Sequence, residues 1–173
     1  TPLLAHIRDG VRTRVARMQA DPFYEEVAAE AMAREAIRNV AAAEAGEIPV
    51  AAVLYDDSGI VATGANRRET DHDPTAHAEI VALREAGRKR SSWRFNDCTM
   101  VVTLEPCPMC AGALVNARVK RLVFGAWDEK AGACESLYII TEDERLNHRV
   151  ETHGGVLETE CAALLSEFFK SRR

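Results

Sequence analysis

The chain has 173 residues, 47% hydrophobic and 28% charged, the balance of one ordinary folded domain and not of a disordered or fibrous chain. Its 22 Lys and Arg against 27 Asp and Glu leave a net charge of −5, which argues against indiscriminate coating of nucleic acid while allowing a local basic patch. No apolar run approaches the roughly 18 residues of a membrane span, and no apolar leader opens the chain. Five cysteines suit reduced thiols or metal ligands better than a disulfide framework, so the expectation is a cytoplasmic protein with no membrane partner.

Residues 1–20 place Leu4, Ile7, Val11, Val15 and Met18 at helical spacing, with Arg8, Arg12, Arg14 and Arg17 mostly elsewhere on the wheel. This reads as an N-terminal helical extension, serving as a packing helix or as an arm toward a partner. Asp21-Pro22 marks the start of a helix running to about Ala45 and stopped by Gly46. Seven Asp and Glu against two Arg between 21 and 47 make it a solvated outer face. Ile48 to Tyr55 and Ile60 to Ala65 flank the turn Asp56-Asp57-Ser58-Gly59, which predicts a largely buried hairpin. A polar loop over 66–76 leads to a helix from about Ala76 to Arg90. Thr99 to Leu104 is a strand, Pro108 opens a short helix through Asn116, and Arg121 to Gly125 is another strand. Residues 126–159 are mixed, with one short helix and a strand near Val156 expected. Cys161 to Arg172 forms a closing helix with Ala162, Leu165, Phe168 and Phe169 on its apolar side. The pattern predicts an α/β domain over residues 21–173, a mixed sheet with helices on both faces.

Two segments carry chemistry: His77-Ala78-Glu79, and Pro106-Cys107-Pro108-Met109-Cys110. Each opens a helix after a strand and loop, where α/β sheets place their sites. Cys107 and Cys110, three apart on a helix, can face one point, and the helix N-terminus favours thiolates. With His77 they make three ligands of the right softness for a catalytic zinc, leaving a fourth position for water. Glu79 need not touch the metal and can carry protons beside it. The combination of H-x-E with P-C-x-x-C is the zinc-deaminase signature. A redox pair has no use for His-x-Glu. A structural zinc would need a fourth protein ligand, for which His72, Cys98 or Cys134 are available. Cys98, Cys134 and Cys161 otherwise read as buried thiols, and His6, His148 and His153 as surface or hydrogen-bonded side chains.

The motif does not choose between bases. The stretches 47–53, Gly64-Ala-Asn66-Arg67, 73–80, 102–113, Val123-Phe-Gly-Ala126, Asn147-His-Arg149 and 160–169 together resemble the bacterial tRNA-specific adenosine deaminase family over roughly residues 25–173. The family usually has another residue where Trp127 stands, and often Val at the place of Pro108. The resemblance implies a cytidine-deaminase-like three-layer α/β/α sandwich with a central mixed sheet. It also implies a homodimer with one zinc per subunit, converting adenosine to inosine at the wobble position of a tRNA anticodon. It assigns His77, Cys107 and Cys110 to zinc, Glu79 to proton transfer and Asn66 to the flipped adenine. Asp128, Lys130, Phe169 and Arg172 are assigned to the anticodon nucleotides. Alternatives remain: a guanine, cytosine or nucleoside deaminase, or a zinc-stabilised RNA-binding module without catalysis. Local cations at 84–94 (net +4), 118–121 and 170–173 predict a shared RNA-binding rim.

Overall fold

The computed structural model describes residues 22–41 and 46–172; the helix expected over 1–20, the stretch 42–45 and Arg173 lie outside the described residues. The described elements are α1 (Pro22–Ala41), β1 (Ala51–Asp56), β2 (Gly59–Ala65), α2 (Arg68–Asp71), α3 (Ala78–Arg90), β3 (Thr99–Leu104), α4 (Pro108–Asn116), β4 (Arg121–Ala126), β5 (Glu151–His153) and α5 (Glu158–Lys170). They build one sheet in the order β2-β1-β3-β4-β5. β1 runs antiparallel to β2 and β3, whereas β3, β4 and β5 are mutually parallel. This is the expected mixed sheet.

Successive side chains on a strand point to opposite faces, and both faces of the inner strands β1, β3 and β4 are covered, which is why these read as near-continuous apolar runs; the edge strand β2, expected to be largely buried, is exposed at Gly59, Ile60 and Thr63. Leu54, Met100, Val102, Leu122 and Phe124 pack with Ala78, Ala82 and Ala86 of α3 and Ala111, Leu114 and Val115 of α4. Val101 and Val123 turn to the other face, against Ala29 and Ala33 of α1 and Val156 and Leu157 just before α5. The result is three layers, helix on sheet on helix. Small residues set the spacing. A Cβ at Gly64 on β2 would lie 2.2 Å from the Ala78 carbonyl oxygen and 2.6 Å from the Ala82 nitrogen, so β2 and α3 touch backbone to backbone there.

Two local expectations are corrected. The polar loop contains the four-residue helix α2, held by the Arg67–Asp71 ion pair at 2.8 Å and capped by His72 in a left-handed conformation (φ 49°). Between β4 and β5 the described chain forms turns and no helix, and the strand is Glu151–His153, ahead of Val156. Side-chain bonds from a buried carboxylate, described below, hold that stretch in place of helical ones.

Candidate active site

The site lies where β2 and β3 hand over to α3 and α4. Ahead of α3, Asp73 accepts from the Thr75 backbone N–H (2.8 Å) and hydroxyl (2.7 Å). Arg84, from the second turn of α3, donates to Asp73 (3.3 Å) and to the Thr75 hydroxyl (3.2 Å). This brace fixes the turn that delivers His77 to the cap position of α3 in an extended conformation (φ −72°, ψ 155°). Cys107 caps α4 in the same way (φ −71°, ψ 172°), with Pro108 at the first helical position and Cys110 buried one turn on.

His77 Nδ1 stands 3.6 Å from Cys107 Sγ and 3.5 Å from Cys110 Sγ. Metal arms of about 2.1 Å to nitrogen and 2.3 Å to sulfur, set at a tetrahedral angle, put those atoms about 3.6 Å apart. The three residues therefore fit a tetrahedral divalent cation, and no fourth described His, Cys, Asp or Glu joins them. The electrostatics agree. Hydrogen bonds from Cys110 and His77 lower the Cys107 thiol to about 4, and the Cys107 bond raises His77. The Cys107 bond and burial push the Cys110 thiol up. Glu79 is 3% exposed, and burial, reinforced by the Cys107 charge, lifts its carboxyl to about 6.

One cavity of about 220 Å³ is lined by His77, Glu79, Cys107, Asn66, Asp128 and Glu105, among others. That is below the roughly 300–1,000 Å³ of drug-sized pockets and suits a single flat ring system. Asn66 is buried, donating from Nδ2 to Glu47 at 3.2 Å. A second cavity shares the wall residues Ile48, Asn66 and Arg68 with the first and extends to Phe168, Phe169 and Arg172. Phe169 is 52% exposed, and the Arg172 guanidinium sits over the Phe168 ring at 4.1 Å.

The structure thus brings Asn66, His77, Glu79, Cys107, Cys110 and Asp128 to one place and sets Phe169 and Arg172 in the adjoining groove. Lys130 is exposed on the loop after Asp128, its backbone N–H donating to Asp128 Oδ1 at 3.0 Å. Two residues escaped the sequence reading. Glu47 is one. The other is Glu105, 2% exposed, which accepts from the backbone N–H groups of Asp128, Cys134, Glu135 and Ser136 and from the Ser136 hydroxyl. A Cβ at Gly132 would strike its carboxylate at 2.3 Å.

The expected shared cationic rim is corrected. Arg88, Lys89 and Arg90 occupy the last turn of α3, about 20 Å along the helix from His77. They are engaged with Glu85, Asp56 and Asp97. Arg121 begins β4, at the end of the sheet away from the site, paired with Glu151 at 3.0 Å. Among the described cations of the three predicted clusters, Arg172 after the closing helix lines the groove beside the site and Arg84 braces the turn before His77, while Arg68, outside those clusters, lies in the cavity wall.

Comparison with known proteins follows the same line. The family pattern of the MafB19-like deaminases matches residues 27–173. The tRNA-specific adenosine deaminase of Haemophilus influenzae is 49% identical over 146 residues, spanning 83% of this chain and 84% of that one. A structure from studies of A-to-I editing by tRNA:A34 deaminases at the wobble position superposes with TM-score 0.67 at 37% identity, over 79% of this chain and 95% of that one. A guanine deaminase from Nitrosomonas europaea superposes with TM-score 0.69 at 28% identity, over 80% and 83%. The fold is cytidine-deaminase-like, and the chain belongs to the MafB19-like deaminases and, among deaminases, to the tRNA-specific adenosine deaminase family.

Proposed function

We propose that the protein hydrolyses adenosine to inosine at the wobble position of tRNA anticodons, releasing ammonia, with one zinc held by His77, Cys107 and Cys110. The observation that carries this reading is the meeting, in one base-sized cavity, of the tetrahedrally spaced trio with buried Glu79 and with Asn66. Zinc, when bound, lowers the pKa of a coordinated water from 15.7 to about 7. The chain supplies the rest. Glu79, its carboxyl raised by burial, takes one proton of the attacking water and delivers it to adenine N1, then carries the second, from the hydroxyl added at C6, to the departing amine, so that the C6–N6 bond breaks as C6=O forms. Asn66 orients the base. The cavity walls exclude bulk water. The target base must leave its stack, which is easiest in a single-stranded loop.

The adjoining groove supports a polynucleotide substrate over a free base: exposed Phe169 offers a stacking face and Arg172 a cation for phosphate. Asp128, in the cavity wall, and Lys130, exposed on the same loop between β4 and β5, serve as contacts for the anticodon nucleotides. Residues 21–173 form the deaminase domain and 1–20 an extension to it. Exposed Leu137, Tyr138, Ile139 and Trp93 support a homodimer that covers apolar surface. No described helix is long and apolar enough to cross a membrane, in keeping with work on tRNA in the cytoplasm.

The test is incubation with an A34-containing anticodon stem-loop, free adenosine, guanine and cytidine, following inosine and ammonia, with metal quantified per chain. Inosine from the stem-loop alone and about one zinc per chain are expected. Ammonia from guanine or cytidine but not from the stem-loop would overturn the substrate reading. Zinc with no turnover on any of them would leave a binding module.

A further inference from the structure

We propose that Glu47 makes the Asn66 amide read adenine and refuse an oxo-purine, by fixing which way round that amide stands. The inference rests on the deaminase reading of the cavity and adds to it a residue outside the reacting groups.

A primary amide carries an acceptor on one side and two N–H donors on the other, and a half-turn exchanges the sides with almost no change of shape. Free to turn, Asn66 could meet a ring edge of either polarity. Glu47 removes that freedom. It is 5% exposed, and Oε2 accepts from Asn66 Nδ2 at 3.2 Å while Oε1 accepts from the Thr70 backbone N–H at 2.7 Å. That second bond anchors the carboxylate to the first turn of α2, whose cap residue Arg67 makes no side-chain cap of its own. Burial would raise the Glu47 carboxyl, but the Thr70 bonds outweigh it, and the group stays below its ordinary value and ionised at neutral pH. An ionised carboxylate only accepts, so an Asn66 carbonyl oxygen turned toward it would face oxygen with oxygen.

The locked orientation leaves one acceptor and one donor of the amide unpaired. Asn66 Oδ1 is buried and has no hydrogen-bond partner among the described residues, and Nδ2 keeps its second hydrogen. Acceptor beside donor is the complement of adenine N6–H and N7, the bidentate pairing that asparagine makes with that base. Guanine presents O6 and N7, two acceptors, and so does the hypoxanthine ring of inosine. Against either, Oδ1 meets O6 with no hydrogen between them. The lock therefore favours substrate over guanosine and over the reaction's own product. Asn66 lines the cavity that holds the catalytic group, so the reading occurs where the base would sit.

The experiment compares equilibrium binding of anticodon stem-loops carrying adenosine, guanosine or inosine at position 34. It uses the zinc-loaded full chain with Glu79→Gln to prevent turnover, with and without Glu47→Gln, Asn66→Ala and both. A glutamine at 47 has one acceptor oxygen, so when that oxygen keeps the Thr70 bond its NH2 faces Asn66 and the Asn66 amide is no longer held with Nδ2 toward residue 47. With Glu47 present, A34 should bind more tightly than G34 or I34 by about 5- to 150-fold, the discrimination typical of one bidentate pair. Glu47→Gln should bring the ratio toward unity, chiefly by tightening G34 and I34 relative to A34. Asn66→Ala should abolish the preference, and Glu47→Gln added to it should change nothing further. An unchanged A34-to-G34 ratio in Glu47→Gln overturns the proposal, as does no preference with Glu47 present or an equal effect in the Asn66→Ala background. If melting shows Glu47→Gln unfolded, the ratio in Asn66→Ala decides: a preserved preference there also overturns it. Failure of the deaminase reading shows separately, as absence of inosine with unmodified protein, whatever the binding ratios are.

Discussion

At the scale of single residues, a proton carrier and a metal ligand can be told apart by experiment. Glu79 is buried beside the trio without belonging to it. Glu79→Gln should keep about one zinc per chain and a normal melting curve, while inosine formation falls by at least the roughly 10²–10⁴-fold of general acid–base catalysis. Cys107→Ala should lose the metal itself, since two protein ligands make a poor zinc site, and the melting temperature should fall with it. Metal content and inosine formation on the two variants check both outcomes, and full activity in Glu79→Gln would sink the mechanism. The trio and Glu79 were legible in the sequence because their spacing is local and their residue types are rare in combination. Glu47 and Glu105 were not. A lone glutamate gives no signal when its partners lie 19 to 31 residues away in sequence and most of those partners are backbone N–H groups.

Among the elements, the contact of β2 with α3 and the far end of α3 each carry a prediction. Gly64→Ala places a methyl group within 2.2 Å of the Ala78 carbonyl oxygen, where only backbone could yield, so β2 and α3 must separate. The cost should reach about 1–3 kcal/mol, as for other overpacked interiors, and the shift would misplace Asn66 and His77 together. A fall in melting temperature accompanied by a loss of inosine formation is the expected result. At the other end, Arg90 bridges Asp56 and Asp97. The Arg90 bond holds the Asp97 carboxyl below its ordinary value; for Asp56, burial raises it and the bonds from Ser58 and the Arg90 charge outweigh that. Carboxyls depressed in the folded state stabilise it above about pH 4 and lose that contribution as pH falls through their folded values. Arg90→Met should therefore cost about 1–2 kcal/mol at neutral pH, mostly through the shielded Asp56 pair because Asp97 is 63% exposed. It should also flatten the acid dependence between about pH 5 and 2, measured by urea unfolding. β3 and α4 were readable to the residue, since β-branched runs and a Pro-opened helix are local signals. The segment 127–150 was not, because it is shaped by distant bonds to Glu105 and by turns without periodicity.

For the whole molecule, the distribution of cations separates a bordering group from a remote one. Arg172 lies in the groove beside the cavity, whereas Arg88 lies at the last turn of α3, paired with Glu85 at 3.7 Å. Arg172→Ala should weaken anticodon stem-loop binding and reduce the log–log salt slope by roughly 0.7–0.9, the share of one released counterion. Arg88→Ala should leave both unchanged. Equal effects of the two would restore the wide rim that charge counting suggested. A zinc held by His77, Cys107 and Cys110 would join the starts of α3 and α4, so treatment with a chelator should lower the melting temperature and make it depend on free metal concentration. The Glu105 carboxylate has a thermodynamic corollary of its own. It gathers five donors from residues 128–136, so the loop bearing Asp128 and Lys130 is ordered when the chain folds, not when RNA arrives. Little entropy then remains to be lost from this loop on association, and the heat-capacity change should match only the surface the RNA covers. In Glu105→Ala that ordering is deferred, and calorimetry should find the same RNA bound with more favourable enthalpy, a larger entropic penalty and a more negative heat-capacity change.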